Sequence, residues 1–385
     1  MEYQLRFFRA PEQSFFLFGP RGTGKSSWIQ HNFTDALVVD LLRPEVYREM
    51  SARPERLAQL VHGNRDRNPV VIDEVQRVPE LLNVVHDLIE SRSGHRFVLT
   101  GSSSRKLRRG GVNLLAGRAL NRSLHPFMAA ELPTFDLGSA LVEGMLPVVL
   151  AAPQPTEVLD AYATLYLEEE VRLEGWARNV GNFARFLEVV SFSHAAVLNI
   201  SNVARECQIE RKTVAGYIEV LEDLLLSFRR PVFTRRARRQ TSTHPKFYLF
   251  DAGVYRSLRP KGPLDRAEEI DGSAFEGLVA QHLRAWIAYS GKECDLFYWR
   301  TRSGVEVDFV IYGEDGFWAV EVKNTAKIRS QDLRPLKSFC SDYPECEPIL
   351  VYRGEDRLRI DGVLCLPGGE FLRSIRPERG LTETG

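Results

Sequence analysis

The chain has 385 residues, of which 44% are hydrophobic and 26% are charged, a globular composition that excludes a disordered or fibrous protein. This length predicts roughly two to three domains. Basic and acidic residues balance at 51 each, so the net charge gives no reason to expect a polyanionic partner.

The location of the chain in the cell is predicted from what the sequence lacks. Five cysteines without a C-x-x-C pair indicate neither a disulfide framework nor a zinc site. No apolar run approaches the roughly 18 residues of a membrane span. The charged N-terminus lacks the apolar core of a signal peptide. These features predict a cytoplasmic protein with no membrane partner.

The basic residues are unevenly placed along the chain. Residues 91–130 and residues 224–250 contain no acidic residue, and the second stretch carries six Arg between Arg229 and Arg239. Local basic surface on a neutral protein is typical of a binding surface for phosphate. Two solvated loops would produce the same pattern.

A short apolar run, residues 15–18, leads into the sequence GPRGTGKS at residues 19–26. This fits the P-loop pattern G-x-x-x-x-G-K-[ST], with a predicted strand before it and a predicted helix after it. The backbone N–H groups of such a loop surround the phosphates of ATP. Lys25 would reach the β- and γ-phosphates, and the Ser26 hydroxyl would ligate Mg²⁺. The predicted nucleotide contacts are Gly19, Pro20, Arg21, Gly22, Thr23, Gly24, Lys25, Ser26, Ser27 and Ser102.

A Walker B pattern follows the P-loop. Residues 69–72 form a mostly apolar run that ends in Asp73 and Glu74. Asp73 would hold Mg²⁺, and Glu74 would orient or deprotonate the attacking water. The distance from the P-loop, with an intervening helical stretch, strengthens this interpretation.

Two further positions complete the predicted ATPase site. The predicted strand at residues 96–99 runs into a hydroxyl-rich segment, in which Ser102 would sense the γ-phosphate. A simple Ser-rich turn is the alternative. Arg118 follows a short apolar helix and is a candidate arginine finger toward a neighbouring subunit. That role predicts a homo-oligomer.

These motifs, in this order and spacing, resemble a known family. The segments are GPRGTGKS, VVIDEVQRVPEL, FVLTGSSS and LLAGRA, together with SLHPFMAAEL at residues 123–132. They are similar to the bacterial and archaeal AAA-superfamily ATPases whose C-terminal half is a restriction-endonuclease-like domain. The resemblance spans most of residues 10–135 and implies a nuclease-like fold in the C-terminal part.

The middle of the chain is predicted to be mainly helical. Residues 162–172 resemble a recurring segment of the same family. Two short helices, followed by a predicted strand at residues 224–228, fit a winged helix-turn-helix. The exposed start of the second helix would then contact DNA, with the Arg cluster beside it. Protein–protein packing is the alternative. The predicted DNA contacts are Arg211, Lys212, Tyr217, Arg229, Arg230, Arg235, Arg236, Arg238 and Arg239.

A hairpin is predicted near the C-terminus. Residues 305–311 and 317–323 alternate between apolar and polar side chains around a turn centred on Glu314 and Asp315. This register would place Asp308 opposite Glu321, with Cβ atoms roughly 5 Å apart. One face would then be wholly apolar and would form core, namely Val305, Val307, Phe309, Ile311, Trp318, Val320 and Val322.

The polar face of this hairpin has the spacing D-x₁₂-E-x-K, the PD-(D/E)XK nuclease arrangement. Asp308 and Glu321 would ligate Mg²⁺, with Mn²⁺ as a second candidate, and Lys323 would position or activate the water. Glu276, on a preceding helix, would supply a further metal ligand. The alternative is a salt-bridge ladder in which Lys323 faces Glu306.

The segments FEGLVAQHL, YWRTRSGVEVDFV and AVEVK resemble the C-terminal domain of the same ATPase family over about residues 270–330. One departure is Val307, which stands where that pattern usually has Pro before the first acid.

The sequence therefore predicts an α/β protein in three parts: a P-loop AAA-type ATPase core (1–135), a helical bridge with a winged helix (136–240) and a PD-(D/E)XK nuclease-like α/β domain (241–385). The predicted function is Mg²⁺-dependent ATP binding and hydrolysis acting on DNA, coupled to the nuclease-like domain. The alternative is an ATP-driven switch or DNA-remodelling motor whose nuclease-like domain only binds DNA or a partner protein.

Overall fold

A computed structural model describes residues 3–102, 115–166, 180–235, 241 and 243–382. The chain divides into two compact units. Unit 1 is Met1–His125 with Glu222–Leu226, and unit 2 is Pro126–Leu221 with Ser227–Gly385. The predicted boundaries between three parts stay a prediction.

Unit 1 is built on a sheet of five parallel strands in the order β2-β3-β4-β1-β5. The strands are β1 (Phe15–Phe18), β2 (Leu37–Asp40), β3 (Val70–Asp73), β4 (Phe97–Gly101) and β5 (Leu120–Ser123). The helices are α1 (Lys25–Asn32), α2 (Pro44–Ala52), α3 (Arg56–Gly63) and α4 (Leu81–Glu90). The predicted α/β architecture is confirmed, and the structure shows that its core is a parallel sheet.

The central strands of this sheet consist almost entirely of apolar residues. β1 is buried along its whole length, and so is β3 as far as its last residue, Asp73. Such strands suit a parallel sheet, which is covered on both faces. Because the carboxyl ends of parallel strands meet at one edge, the loop after β1 and the ends of β3 and β4 come together there.

The first part of unit 2 contains seven helices and a three-stranded antiparallel sheet in the order β6-β8-β7 among the described residues. These elements are α5 (Leu137–Glu143), α6 (Pro147–Leu150), α7 (Pro155–Ala161), α8 (Val180–Ser191), β6 (Ala196–Val197), α9 (Ile200–Cys207), α10 (Arg211–Asp223), β7 (Ser227–Arg230), β8 (Lys246–Leu249) and α11 (Ala252–Leu258). The strand predicted at 224–228 begins instead at Ser227, because Leu225 adopts a left-handed backbone with φ of 61°.

The second part of unit 2 is a six-stranded mixed sheet in the order β13-β14-β12-β11-β10-β9. Its elements are α12 (Ala267–Ser290), β9 (Cys294–Arg300), β10 (Glu306–Gly313), β11 (Gly316–Lys323), α13 (Arg334–Asp342), β12 (Glu347–Tyr352), β13 (Leu358–Ile360), β14 (Val363–Pro367) and α14 (Gly368–Ser374). The described part of the chain contains no helix that is both long and apolar enough to span a membrane.

The β10–β11 hairpin has the register that the sequence predicts. Phe309 pairs with Val320, and Gly313 pairs with Gly316 at the turn. Continuing this register places Asp308 beside Glu321, and the backbone N–H of Asp308 donates to Glu321 Oε2 at 3.3 Å.

A β-bulge in β10 interrupts the alternation that the sequence analysis assumed. The register between β9 and β10 shifts between Val307 and Val310. Val307 therefore packs in the same core cluster as Val310 and Ala319, whereas Phe309 lies near Tyr248, with ring centroids 6.0 Å apart. The prediction that Val307 and Phe309 share one face is wrong, because a bulge adds one residue to the strand.

Candidate functional site

The loop after β1 has backbone conformations that require glycine. Gly22 and Gly24 have φ of 82° and 87°, in the left-handed region that glycine enters without a steric penalty. Gly19 is required for space, since a Cβ there would lie 2.6 Å from the carbonyl oxygen of Leu124. The predicted glycines therefore shape a tight loop at the carboxyl end of the sheet.

The loop is held by the side chain of Thr23, which lies in the loop, and by that of Arg6, which lies outside it. Thr23 is fully buried, and its hydroxyl donates to Pro20 O at 2.8 Å. Arg6 donates to the carbonyl oxygens of Thr23 at 2.9 Å and His125 at 2.6 Å. The sequence analysis missed Arg6, which lies outside the motif and carries no signal of its own. Together these bonds fix the path of the loop.

Lys25 begins α1 and is buried inside the loop. Its Nζ donates to Gly19 O at 2.7 Å and Pro20 O at 3.2 Å. Gly24 precedes the helix in a left-handed conformation, with no side-chain cap among the described residues. Uncapped N–H groups at a helix N-terminus attract anions. The loop thus combines an ammonium group with backbone donors.

Asp73 connects the loop to the neighbouring strands. Ser26 Oγ donates to Asp73 Oδ2 at 3.0 Å. The Thr100 hydroxyl donates to Asp73 Oδ1 and accepts from the backbone N–H of Glu74 at 3.0 Å. The sequence placed Ser26 and Asp73 at a magnesium site, and the structure brings them together. A hydroxyl and a carboxylate are hard oxygen donors that suit Mg²⁺, so these residues fit that ion.

Glu74 is held in a left-handed conformation with φ of 59°, which is uncommon for a residue other than glycine. Gln76 donates from Nε2 to a carboxylate oxygen of Glu74 and to Ser102 Oγ at 3.3 Å. Gln76 therefore links the Walker B acid to the predicted sensor hydroxyl. The sequence analysis missed Gln76, although its place two residues after Glu74 is a usable signal.

Arg118 lies next to a carboxylate of its own chain. Its guanidinium forms an ion pair with Glu90, and this contact lowers the pKa of the Glu90 carboxyl. The remaining predicted nucleotide contacts, Arg21 and Ser27, are exposed. The arginine-finger role stays a prediction.

A second cluster of acids lies in unit 2 and contains a lysine that the sequence analysis missed. Lys246, the first residue of β8, is buried, and its Nζ contacts carboxylate oxygens of Glu276 at 2.8 Å, Glu306 at 2.5 Å and Asp308 at 3.0 Å. The Tyr248 hydroxyl donates to Glu276 at 2.6 Å. Lys246 precedes Asp308 by 62 residues and lies outside the hairpin motif, which explains why spacing did not reveal it.

The Glu-x-Lys pair of β11 lies beside this cluster. Lys323 Nζ donates to Glu321 Oε1 at 2.5 Å. The alternative of a salt-bridged polar face is seen with other partners than those expected: Glu306 contacts Lys246, and it contacts Arg300 at 2.7 Å. Both arms of the hairpin are therefore neutralised by lysine or arginine.

The charged groups of this cluster shift the pKa values of one another. Burial and the nearby Asp308 carboxylate raise the pKa of Glu276 to about 8. Burial works against the charged form of Lys246, but Asp308 and Glu276 raise the pKa of Lys246 well above its ordinary value. Burial also opposes ionisation of Asp308, yet Lys246 and Lys323 hold its pKa below the ordinary value. The ammonium of Lys246 is thus charged at neutral pH.

The predicted DNA contacts have different surroundings. Arg211 and Lys212 are exposed at the start of α10, and Arg229 and Arg230 on β7 are half-buried. Arg235 is exposed and lies 3.6 Å from a carboxylate oxygen of Asp295. Three other predicted contacts lie outside the described residues, namely Arg236, Arg238 and Arg239.

Tyr217 is not a surface contact. It is 3% exposed, and its ring packs against Phe183 and Phe186 with centroids 5.1 and 5.2 Å apart. The prediction that Tyr217 contacts DNA is wrong. Residue 217 is six positions after Arg211, which turns its side chain to the apolar side of the helix.

Three stretches of the chain match family models. Residues 11–132 match an AAA domain, residues 134–265 a domain of unknown function (DUF8612), and residues 271–371 another domain of unknown function (DUF4143). Uncharacterized proteins of Mycobacterium bovis and Mycobacterium tuberculosis are each 26% identical over 312 residues, which cover 79% of this chain and 69% of theirs. A crystal structure of a Vibrio cholerae protein aligns over 94% of this chain and 96% of its own, at 11% identity and a TM-score of 0.23, too low a likeness to carry an argument.

The AAA match covers the parallel sheet, the glycine loop and the Ser26–Asp73 pair. The match over residues 271–371 is to a domain of unknown function and does not test the nuclease-like fold. The match over residues 11–132 therefore supports the AAA-type P-loop ATPase domain that the motifs predicted.

Proposed function

We propose that this chain is a Mg²⁺-dependent ATPase whose turnover acts on DNA. The observation that carries the ATPase part is the hydrogen bond of 3.0 Å between Ser26 Oγ and Asp73 Oδ2. It joins the end of the P-loop to the end of β3, so both predicted magnesium ligands lie at one point. The AAA match over the same residues supports this proposal.

The residues around this point divide the work of holding Mg²⁺ and ATP. Ser26 and Asp73 would hold the ion, and Thr100 fixes the orientation of the Asp73 carboxylate. When bound, Mg²⁺ neutralises part of the charge on the β- and γ-phosphates. Lys25 and the N–H groups of the loop add positive potential at the same place.

Glu74 supplies the base. Its carboxylate accepts a proton from water while the water oxygen bonds to the γ-phosphorus and the bond to the ADP oxygen breaks. Gln76 donates to Glu74, and so holds the carboxylate in one orientation and connects it to Ser102. Ser102 would report the γ-phosphate to Glu74 through this amide.

The first experiment measures ATP turnover of the purified full chain, with Mg²⁺ or with EDTA, for wild type and Lys25→Ala. Lys337→Ala is the control, since Lys337 is an exposed lysine paired with Asp361. We expect Lys25→Ala to lower turnover by about 10²–10³-fold and EDTA to abolish it, while the control is unaffected. Equal turnover in Lys25→Ala and wild type would overturn the proposal.

The DNA part of the proposal depends on a groove in unit 2. A cavity of about 640 Å³ is lined by Arg211, Arg229, His244 and polar residues of the start of α9. The order α8, β6, α9, α10, β7 and β8, with a three-stranded sheet, supports the winged-helix prediction. A helix start that carries exposed Arg211 and Lys212 suits phosphate contact.

The DNA part is tested by ATP turnover with and without duplex DNA over a range of salt concentrations. We expect DNA to stimulate turnover and the stimulation to fall steeply with salt, because counterion release drives such binding. The double variant Arg211→Glu/Lys212→Glu should lose the stimulation and keep basal turnover. A double reversal at two other exposed bases, Arg334→Glu/Lys337→Glu, is the charge-matched control. Turnover that ignores DNA at every salt concentration would contradict this part alone.

A further inference from the structure

The carboxylates that the hairpin motif assigns to a metal already surround a cation of the protein itself. We propose that Lys246 is the resident cation of the cluster formed by Glu276, Glu306 and Asp308, in place of the divalent ion predicted by D-x₁₂-E-x-K. The acid cluster then does not support metal-dependent cleavage. This inference does not depend on ATP hydrolysis in unit 1.

The first argument is the geometry of the ammonium group. A lysine Nζ has three N–H donors. Lys246 Nζ lies 2.8, 2.5 and 3.0 Å from oxygens of Glu276, Glu306 and Asp308. It donates hydrogen bonds to Glu276 and Asp308 and forms an ion pair with Glu306. The Lys246 side chain is 2% exposed, so these carboxylates replace the water around its ammonium.

The second argument is that the backbone of Lys246 is fixed. Lys246 lies on β8, the middle strand of its sheet, where it is paired with Val197 of β6 and Arg230 of β7. This pairing fixes the point from which the Lys246 side chain starts, and the side chain itself is 2% exposed, so its ammonium is enclosed at the cluster.

The negative charge of the acid cluster is already largely balanced by cations of the protein. Two further cations contact the same group of acids: Arg300 lies 2.7 Å from Glu306, and Lys323 lies 2.5 Å from Glu321. The three cations Lys246, Arg300 and Lys323 lie among four carboxyl groups, and burial with Asp308 nearby raises the pKa of one of these, Glu276, to about 8, so the cluster has little net negative charge at neutral pH. A divalent ion added to this buried group would leave it net positive, at a high desolvation cost.

The carboxylate oxygens of Asp308 and Glu321 are already hydrogen-bonded within the protein. Asp308 accepts from Lys246 at Oδ1 and from the backbone N–H of Val322 at Oδ2, at 3.0 Å in each case. Glu321 accepts from Lys323 at Oε1 and from the N–H of Asp308 at Oε2. Each carboxylate oxygen of Asp308 and Glu321 therefore already accepts a bond from a donor of the protein. The residues present do not fit Mg²⁺ as they are arranged.

The test counts Mn²⁺ ions bound to the nucleotide-free full chain by electron paramagnetic resonance. Every protein carries Asp73→Asn, so that unit 1 contributes no ion and a failure of the proposed ATPase cannot be confused with a failure here. The four proteins have, in addition, no further change, Asp308→Asn, Lys246→Met, or Lys246→Met with Asp308→Asn.

We expect the first two proteins to bind equal amounts of Mn²⁺. Lys246→Met should gain about one equivalent, and adding Asp308→Asn should remove that gain, because removal of the ammonium leaves carboxylates that suit a divalent ion. Loss of one bound ion on Asp308→Asn alone would overturn the proposal, and so would a folded Lys246→Met that gains none. If circular dichroism shows Lys246→Met to be unfolded, Lys246→Gln replaces it, and the comparison between the first two proteins stands without either.

Discussion

Two buried aspartates, Asp73 in unit 1 and Asp308 in unit 2, have nearly equal exposure, 8% and 7%, and opposite surroundings. Asp73 is the last residue of β3, and Asp308 lies within β10. The sequence predicts both as magnesium ligands. Asp73 accepts hydrogen bonds from the hydroxyls of Ser26 and Thr100. Asp308 accepts a hydrogen bond from the ammonium of Lys246.

The difference between these donors decides what each carboxylate can do. A hydroxyl is neutral, so the bonds from Ser26 and Thr100 orient Asp73 without cancelling its charge. An ammonium cancels the charge, and Lys246 and Lys323 hold the pKa of Asp308 below its ordinary value in spite of burial. In this chain, Asp73, whose hydroxyl donors are uncharged, is therefore the aspartate that suits a metal ion, and Asp308 is the one that suits an ammonium.

The largest expected effect is on ATP turnover, and it should appear when glutamate is replaced by glutamine in unit 1 but not in unit 2. Glu74→Gln should lower ATP turnover by about 10²–10⁴-fold, because it removes the base that accepts the proton of water. Binding of a fluorescent ATP analogue should persist, since Glu74 is not among the loop residues that contact phosphate. Glu276→Gln is the control and should leave turnover unchanged. Normal turnover in Glu74→Gln, measured by phosphate release, would show that another group is the base.

The second prediction compares the two buried lysines by stability. Lys246→Met should destabilise unit 2 by about 3–5 kcal/mol, since it leaves buried carboxylates without their partner. Lys25→Met should cost only about 1 kcal/mol, because Lys25 donates to neutral carbonyl oxygens. Hydrogen-exchange mass spectrometry in increasing urea resolves the peptides of each unit. Similar losses for both variants would remove the contrast between the two sites.

Local patterns in the sequence account for most of what was predicted correctly. The P-loop and the Walker B acids are contiguous motifs, and the register of the β10–β11 hairpin follows from a turn that can be located by its composition. The errors arose where distant segments meet. Lys246 enters the acid cluster from a separate strand, and the bulge at Val307 depends on pairing with β9. Tyr217 was predicted to lie on the exposed face of α10, but it belongs to the apolar face that packs into the core.

The stability of unit 2 is expected to fall at low pH, because unit 2 contains a buried histidine, His282, that is held in its neutral form. His282 accepts from the N–H of Ala129 at Nε2 and donates from Nδ1 to Leu278 O, both at 2.8 Å. Burial lowers the pKa of His282 to about 4, from an ordinary value of 6.5. The folded state thus binds fewer protons than the unfolded state between these values. The neutral His282 therefore contributes up to roughly 3 kcal/mol to the free energy of unfolding. This contribution is complete above pH 6.5 and is lost as the pH falls to about 4.

The variant His282→Gln isolates this effect, since an amide can accept the same bond from Ala129 without titrating. Urea unfolding from pH 7 to pH 4 should show a smaller decline for His282→Gln than for wild type. His62→Gln, at an exposed position, is the control and should follow wild type. If wild type and His282→Gln decline in parallel, His282 does not set the acid sensitivity of unit 2.

The smallest expected effect is on DNA binding by an exposed cation, Arg211, which contrasts with the buried charges compared above. Arg211 is exposed at the start of α10, so a phosphate can reach it without first displacing a buried partner. Arg211→Gln should weaken DNA binding a few-fold and reduce the slope of log affinity against log salt by about one, the value for one lost phosphate contact. Tyr217→Phe, on the buried face of the same helix, should leave the slope unchanged. Fluorescence anisotropy with labelled duplex DNA measures both, and an equal slope for Arg211→Gln and wild type would place the DNA surface elsewhere.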